Sequence, residues 1–213
     1  MVSLTSKYQP RKIADFAGLR QAKAIMARLT AEPWASAWLF VGAAGTGKTT
    51  LGLAVAAELN AELHHIPAAG CTLETVRSVA QSCYYMPMCG GSWHVVLVDE
   101  ADAMSPAAQK AFLSYLDATA FPPNTIFIFT CNETGPLEAR FQSRCRTIQF
   151  DGGADSQDVA NFLFGVWVKE TGSFSGAPIM RDLIASNGGN IRGALMGMEL
   201  SILCADEPAE VAA

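Results

Sequence analysis

Short runs of apolar, β-type residues alternate with stretches of helical apolar spacing through the first 150 positions of the chain. The runs Trp38–Val41, Glu62–Ile66, Val95–Asp99, Thr125–Cys131 and Arg146–Phe150 predict five strands. Between them, Lys48–Asn60 and Leu73–Met86 carry apolar residues at helical spacing. Ser105-Pro106 ahead of Ala107–Ala118 reads as an N-cap followed by proline at the first helical position. Strands alternating with helices in this way predict an α/β domain, a parallel sheet with helices on both faces, over about residues 1–151. After Asp151-Gly152-Gly153 the strand pattern stops, and Ser156–Thr171, Pro178–Ser186 and Asn190–Cys204 read as three amphipathic helices. They predict a small all-helical second domain over about 152–206, with 207–213 as a frayed tail.

Composition narrows the class. Half of the 213 residues are hydrophobic and 16% are charged, which supports a sizeable core and excludes disorder as the dominant state. No run of 18 apolar residues occurs, so no membrane span is expected, and Met1–Pro10 lacks the apolar stretch of a secretory signal. The expectation is a cytoplasmic protein. The net charge of −5 argues against nucleic-acid binding by bulk charge. Lys7, Arg11, Lys12, Arg20, Lys23 and Arg28 nevertheless cluster near the start with only Asp15 opposing them, which leaves a local basic surface open. The six cysteines, with no CxxC pair among them, read as free thiols.

Chemistry enters at Gly42-Ala43-Ala44-Gly45-Thr46-Gly47-Lys48-Thr49, which fits G-x-x-x-x-G-K-[ST] and lies between a predicted strand and a predicted helix. Glycines there let backbone N–H groups wrap phosphates at a helix N-terminus. Lys48 brings charge to the β/γ-phosphates, and the Thr49 hydroxyl can ligate Mg2+. Thr50 completes the expected nucleotide-binding stretch. The apolar strand Val95-Val96-Leu97-Val98 ends in Asp99-Glu100, two carboxylates a core strand does not need. Asp99 is expected at the Mg2+ shell and Glu100 at the water that attacks the γ-phosphate. Asn132 follows another buried strand, where its amide can orient that water. Arg192 opens a helix of the second domain, from which it can reach bound phosphate and couple nucleotide state to domain angle. His64-His65 has no nucleophile pattern beside it, and strand alternation sends one of the two outward, against a catalytic pair. Leu195, Met196, Met198, Leu200 and Leu203 are expected to pack the last helix, and Phe162, Phe164, Trp167 and Val168 the core of the helical domain.

Together these segments resemble the AAA+ ATPases, and within them the clamp-loader ATPase subunits: the bacterial polymerase III gamma/tau subunit and the small subunits of replication factor C. The resemblance covers most of residues 7–200. Lys7-Tyr8-Gln9-Pro10 is similar to the K-Y-R-P start, Asp99-Glu100-Ala101-Asp102 to the Walker B box, and Thr130-Cys131-Asn132 to sensor 1. Gln142-Ser143-Arg144-Cys145 is similar to the S-R-C motif, and Gly189–Leu195 to the sensor 2 motif G-D-x-R-x-A-L with Asn190 in place of the acid. The resemblance implies a P-loop NTPase fold with a helical lid, and ATP and Mg2+ as ligands, with Tyr8 beside the nucleotide. It also implies that Arg144 reaches the nucleotide of a neighbouring subunit. Other AAA+ subunits, a sliding clamp and primer-template DNA are the implied partners.

Two departures qualify the match. Ser114 stands where those subunits usually carry a basic residue, which removes one expected DNA-responsive contact. Clamp-loader subunits also continue into a helical collar domain, whereas this chain ends at Ala213 shortly after the lid, as a fragment or a minimal form. Two alternatives stay open: a general AAA+ remodeller or helicase-loader-like ATPase, and a non-hydrolysing nucleotide-binding assembly subunit.

Overall fold

The strand alternation explains the layers. In the computed structural model, which describes residues 2–88, 90–151, 156–174 and 180–205, five strands form: β1 (Ser36–Gly42), β2 (Glu62–Pro67), β3 (His94–Asp99), β4 (Thr125–Cys131) and β5 (Arg146–Phe150). All pairings are parallel, in the order β2-β3-β4-β1-β5. Successive residues of the central strands point to opposite faces, and both faces are covered. Leu39, Val96, Val98, Phe127 and Phe129 pack with α4 (Leu73–Ser82) and α5 (Pro106–Tyr115) on one side. Trp38, Phe40, Leu97, Ile126 and Ile128 pack with α2 (Arg20–Ala31) and α3 (Lys48–Glu58) on the other. The remaining helices are α1 (Leu4–Lys7), α6 (Ala139–Gln142), α7 (Ser156–Thr171), α8 (Met180–Ser186) and α9 (Ile191–Ala205). No helix of the described residues is long and apolar enough to cross a membrane.

Several helix ends differ from expectation for identifiable reasons. α4 stops at Ser82 and does not reach Met86, because Cys83 is already in the core and the chain turns there. The Tyr84 hydroxyl then donates to the Ala120 carbonyl, and the Tyr85 carbonyl meets a His94 ring nitrogen. α5 begins as predicted, Ser105 Oγ accepting from the Ala108 N–H with Pro106 in the first turn. It ends at Tyr115, where Asp117 accepts from the backbone and hydroxyl of Thr119 in a side-chain-closed turn. The α2 helix was not expected; it buries Ala22, Met26 and Leu29 along one face and leaves Arg20, Gln21 and Arg28 exposed.

α7, α8 and α9 gather around Leu163, Trp167, Ile184, Leu195 and Met198. Leu4 of α1 joins this cluster, so the start of the chain packs against the lid. Met196, Leu200 and Leu203, expected inside, are instead 54%, 64% and 44% exposed, because the α9 stripe that faces the bundle runs through Ala194, Leu195 and Met198. Phe164 also faces outward, against Phe174. Three of the six early basic residues have partners in the fold while the cluster stays mostly at the surface: Lys7 pairs with Glu170, the Arg20 guanidinium grips Asp158 through Nε and Nη2 at 3.0 Å, and Lys23 Nζ donates to the Phe16 carbonyl. Cys71, Cys83, Cys131, Cys145 and Cys204 are free thiols; Cys89, Pro178 and the tail after Ala205 lie outside the described residues.

Candidate active site

The turn after β1 carries Gly45 and Gly47 at φ of +75° and +96°, conformations that only glycine adopts without strain. This places residues 45–49 around the N-terminus of α3, where free backbone N–H groups and the helix dipole favour phosphate. Lys48 is 7% exposed, and its ammonium donates to the carbonyls of Gly42 and Ala43 at 2.7 and 2.8 Å and to Asn132 Oδ1 at 3.1 Å. Burial lowers its pKa from the usual value and Arg192 adds to this, while Cys131, Asp102 and Asp99 oppose it. Arg192 is therefore close enough to be felt electrostatically from the lid.

The carboxylates sit where parallel strands end. Asp99 Oδ1 accepts from the Thr49 hydroxyl at 2.5 Å and the Thr130 hydroxyl at 2.7 Å, and Oδ2 lies 3.3 Å from His65 Nε2. Thr49 and Asp99 thus present two hard oxygen donors side by side, a set that fits Mg2+. Glu100 is exposed and left-handed at φ +54°, with its N–H donating to Thr130 Oγ1 at 3.2 Å. The Asn132 N–H donates to Asp102 Oδ2 at 3.0 Å, while the other Asp102 oxygen, also buried, has no hydrogen-bond partner. The structure thus brings Lys48, Thr49, Thr50, Asp99, Glu100, Asn132 and Arg192 to one cavity of about 270 Å³, which Ala44 and Gly45 also line.

A second cavity of about 240 Å³ opens on the other side of the loop, between Gly45, Thr46, Gly47 and Thr50, the segment around Tyr8 and Phe16, and the lid residues Phe162 and Arg192. Tyr8 borders this cavity and ties it to the lid: its hydroxyl donates to Glu170, and its pKa is pushed up to about 12 by burial and by that carboxylate. Asn190 performs the helix-capping task open to an acid at that position, its Oδ1 accepting from the Gly193 N–H at 2.9 Å. It also packs on the loop so tightly that a Cβ added to Gly45 would fall 1.9 Å from that oxygen.

Arg144 is the one predicted site residue that stands apart. It lines neither cavity; its guanidinium donates to the Arg140 carbonyl at 3.0 Å and reaches Asp117 at 3.5 Å, at the surface beyond α6. Thr130, Asp102, His65 and Asp117 are the partners that sequence reasoning missed. Thr130 and Asp102 lay inside recognised segments, but nothing in one sequence reveals which side chains they meet across strands.

Comparison with known proteins adds to this geometry. Residues 38–152 match the model of the family described as "ATPase family associated with various cellular activities (AAA)". The replication factor C small subunit of Methanothermobacter thermautotrophicus is 31% identical over 153 residues, 68% of this chain and 46% of that protein. Replication factor C subunit 2 of Arabidopsis thaliana is 29% identical over 167 residues, 74% of this chain and 49% of that protein. The chain thus spans about half the length of these curated relatives. Among solved structures, the Thermotoga maritima RuvB Holliday junction branch migration motor superposes with a TM-score of 0.73 over 93% of this chain and 68% of that one. At 16% identity this is a likeness of fold.

Proposed function

The chain belongs to the ATPase family associated with various cellular activities, and on that premise we propose that it hydrolyses Mg-ATP to drive a clamp-loader-like step of DNA replication or repair. The observation that carries the reading is the convergence of Thr49 and Thr130 on Asp99, beside a lysine that already shares Asn132. Such a set binds phosphate and positions water at one place.

In this reading the amides at the start of α3 hold the phosphate chain, and Lys48 exchanges carbonyl partners for phosphate oxygens. Thr49 and Asp99 would hold Mg2+, which would supply positive charge against the phosphate oxygens. Glu100, set at the exposed end of β3, accepts a proton from the attacking water that Asn132 orients. Arg192 draws the lid toward the phosphates. Arg144, outside its own chain's cavities, serves the nucleotide of an adjoining AAA+ subunit, where a cation neutralises charge developing in the transition state. The replication factor C relatives favour a sliding clamp and primer-template DNA as the objects of this work; stimulation of turnover by those two together separates the reading from a general protein remodeller.

The test is complementation. Arg144→Ala should keep ATP affinity while turnover falls by about 10³–10⁵, and mixing it with inactive Lys48→Ala protein should restore part of the activity. The mixed interface pairs an intact phosphate loop from one chain with an intact Arg144 from the other. If sedimentation shows association and the mixture stays inactive, the arginine does not act across subunits.

A further inference from the structure

At the opposite end of the sheet from the phosphate loop, β2 and β3 carry a cluster that the ATPase reading does not use. Glu62 pairs with His94 in the β2–β3 register, which places Glu62, His64 and His94 on the face covered by α4. There the His64, Cys83 and His94 ligand atoms lie within 4.8 Å of one another. Cys83 is fully buried and His94 is 2% exposed. The two imidazoles stack with centroids 5.3 Å apart, His64 Nε2 standing 3.1 Å from His94 Nδ1.

The tautomer of His94 is fixed by its surroundings. Its Nε2 faces the Tyr85 carbonyl at 3.0 Å, an acceptor, so Nε2 carries the proton and the Nδ1 lone pair points into the cluster. A ring whose outer N–H is held by a backbone carbonyl, leaving the inner nitrogen free, is the usual support of a metal-bound histidine. Burial, and then His94, lower the pKa of His64, which favours its neutral ring. Glu62 Oε2, fixed by the Met88 N–H at 2.7 Å, lies 3.9 Å from His94 Nδ1 and borders a fourth position. Ligand atoms bound tetrahedrally at about 2.0–2.3 Å stand roughly 3.3–3.8 Å apart, so separations of up to 4.8 Å must close by as much as about 1.0–1.5 Å on an ion.

We infer that His64, Cys83 and His94 form a site for a borderline-soft divalent cation of the zinc class, with Glu62 or a water in the fourth position. Two imidazoles and a thiol suit Zn2+, whereas Mg2+ prefers the all-oxygen set of Thr49 and Asp99. Burial pushes the Cys83 thiol up to about 11, so binding releases its proton to solvent, and His64 moves its ring proton to Nδ1 to free Nε2. The ion joins edge strand β2, the end of α4 and the first residue of β3. His94 and Asp99 are about 16 Å apart along β3, so the site is separate from the Thr49 and Asp99 oxygens, although His65, beside His64, stands 3.3 Å from Asp99 Oδ2.

The test uses the full chain stripped with a chelator and titrated with Co2+ in excess Mg2+, without nucleotide. One Co2+ per chain should bind with the intense visible bands of a tetrahedral site and a thiolate-to-cobalt charge-transfer band, both erased by Zn2+, and Zn2+ should raise the melting temperature. Cys83→Ala should remove the charge-transfer band, and Asp99→Asn, at the other end of the sheet, should leave it. Should Cys83→Ala fail to fold, His64→Gln, at a half-buried position, carries the test: Co2+ affinity should drop about 10-fold or more. Weak octahedral bands alone, a charge-transfer band that survives Cys83→Ala, affinity unchanged in His64→Gln, or a spectrum lost in Asp99→Asn would overturn the assignment.

Discussion

Replacing Thr130 by valine isolates a contact that joins the Asp99 carboxylate to the backbone of Glu100. Thr130 is 2% exposed in β4, and its hydroxyl donates to Asp99 Oδ1 at 2.7 Å while accepting the Glu100 N–H at 3.2 Å. Valine keeps the branched shape and strand preference but removes both bonds. A hydrogen bond to a charged group contributes about 1.5–3 kcal/mol, and an amide left without a partner costs about 1–3 kcal/mol. The left-handed backbone of Glu100 itself carries roughly 1–2 kcal/mol of strain, opposed by the bond to Thr130. Without that bond Glu100 relaxes and its carboxylate moves, and an ångström of misplacement costs on the order of 10²-fold in rate. Turnover measured by coupled ATPase assay at saturating Mg2+ and ATP should therefore fall about 10- to 100-fold. Binding of a fluorescent ATP analogue should change by less than about threefold, under a kcal/mol at 1.4 kcal/mol per tenfold. Thr130→Ser, which retains the hydroxyl, should keep most of the activity. Wild-type turnover in Thr130→Val, or equal impairment in Thr130→Ser, would refute the argument.

Other substitutions separate the remaining roles. Lys48→Ala should abolish ATP binding, whereas Glu100→Gln should bind ATP and lose hydrolysis, as equilibrium binding and turnover assays will show; hydrolysis by Glu100→Gln at the wild-type rate would remove Glu100 from its role. Asn190→Ala should lose the α9 cap, about 1 kcal/mol or 2–4 °C by calorimetry, whereas Asn190→Asp keeps the acceptor and should melt no lower than the parent. Hydrogen bonds from Lys7 and then Tyr8 hold the Glu170 carboxyl below its usual 4.5, so this tie is complete above about pH 4.5 and is lost as pH falls through the lower folded value. The hydrogen-exchange protection of residues 2–10, taken relative to the intrinsic rate at each pH, should fall over that interval and stay constant across it in Glu170→Gln.

The strands and the phosphate loop were legible because each is written locally: apolar runs bounded by turns, and glycines at fixed offsets from a lysine. Asp99 and Glu100 stood out because charge at the end of an apolar strand has no packing explanation. Their partners were not legible, because the contact of Thr130 with Asp99 depends on β4 lying beside β3, a pairing across the sheet that no local spacing encodes. The overshoot of α4 had the same origin. Helical spacing continues through Tyr84 and Tyr85, but the burial of Cys83 and the return of the chain over His94 set the end. Assigning Leu200 and Leu203 to the interior failed because apolar residues surround much of α9, and periodicity alone does not say which side meets α7 and α8. The Asn190 departure, by contrast, could be weighed from sequence, since asparagine and aspartate cap helices by the same acceptor geometry.

The first turns of the chain form a strap between the helical bundle and the phosphate loop. Leu4 is embedded among lid side chains, Tyr8 is fastened to Glu170 of α7, and Phe16 lies against the phosphate loop, 3.3 Å from where a Gly47 Cβ would stand. The wall of the smaller cavity is therefore shared by strap, loop and lid. Any rotation of the helical bundle would pull the strap at one end and reshape that wall at the other, which would tie a ligand held there to the angle of the bundle. By reciprocity, whatever fixes the lid from outside must alter grip on the ligand by the same free energy with which the ligand fixes the lid. The contacts of Leu4, Tyr8 and Phe16 thus join the helical bundle to the phosphate loop by a route that does not pass through the sheet.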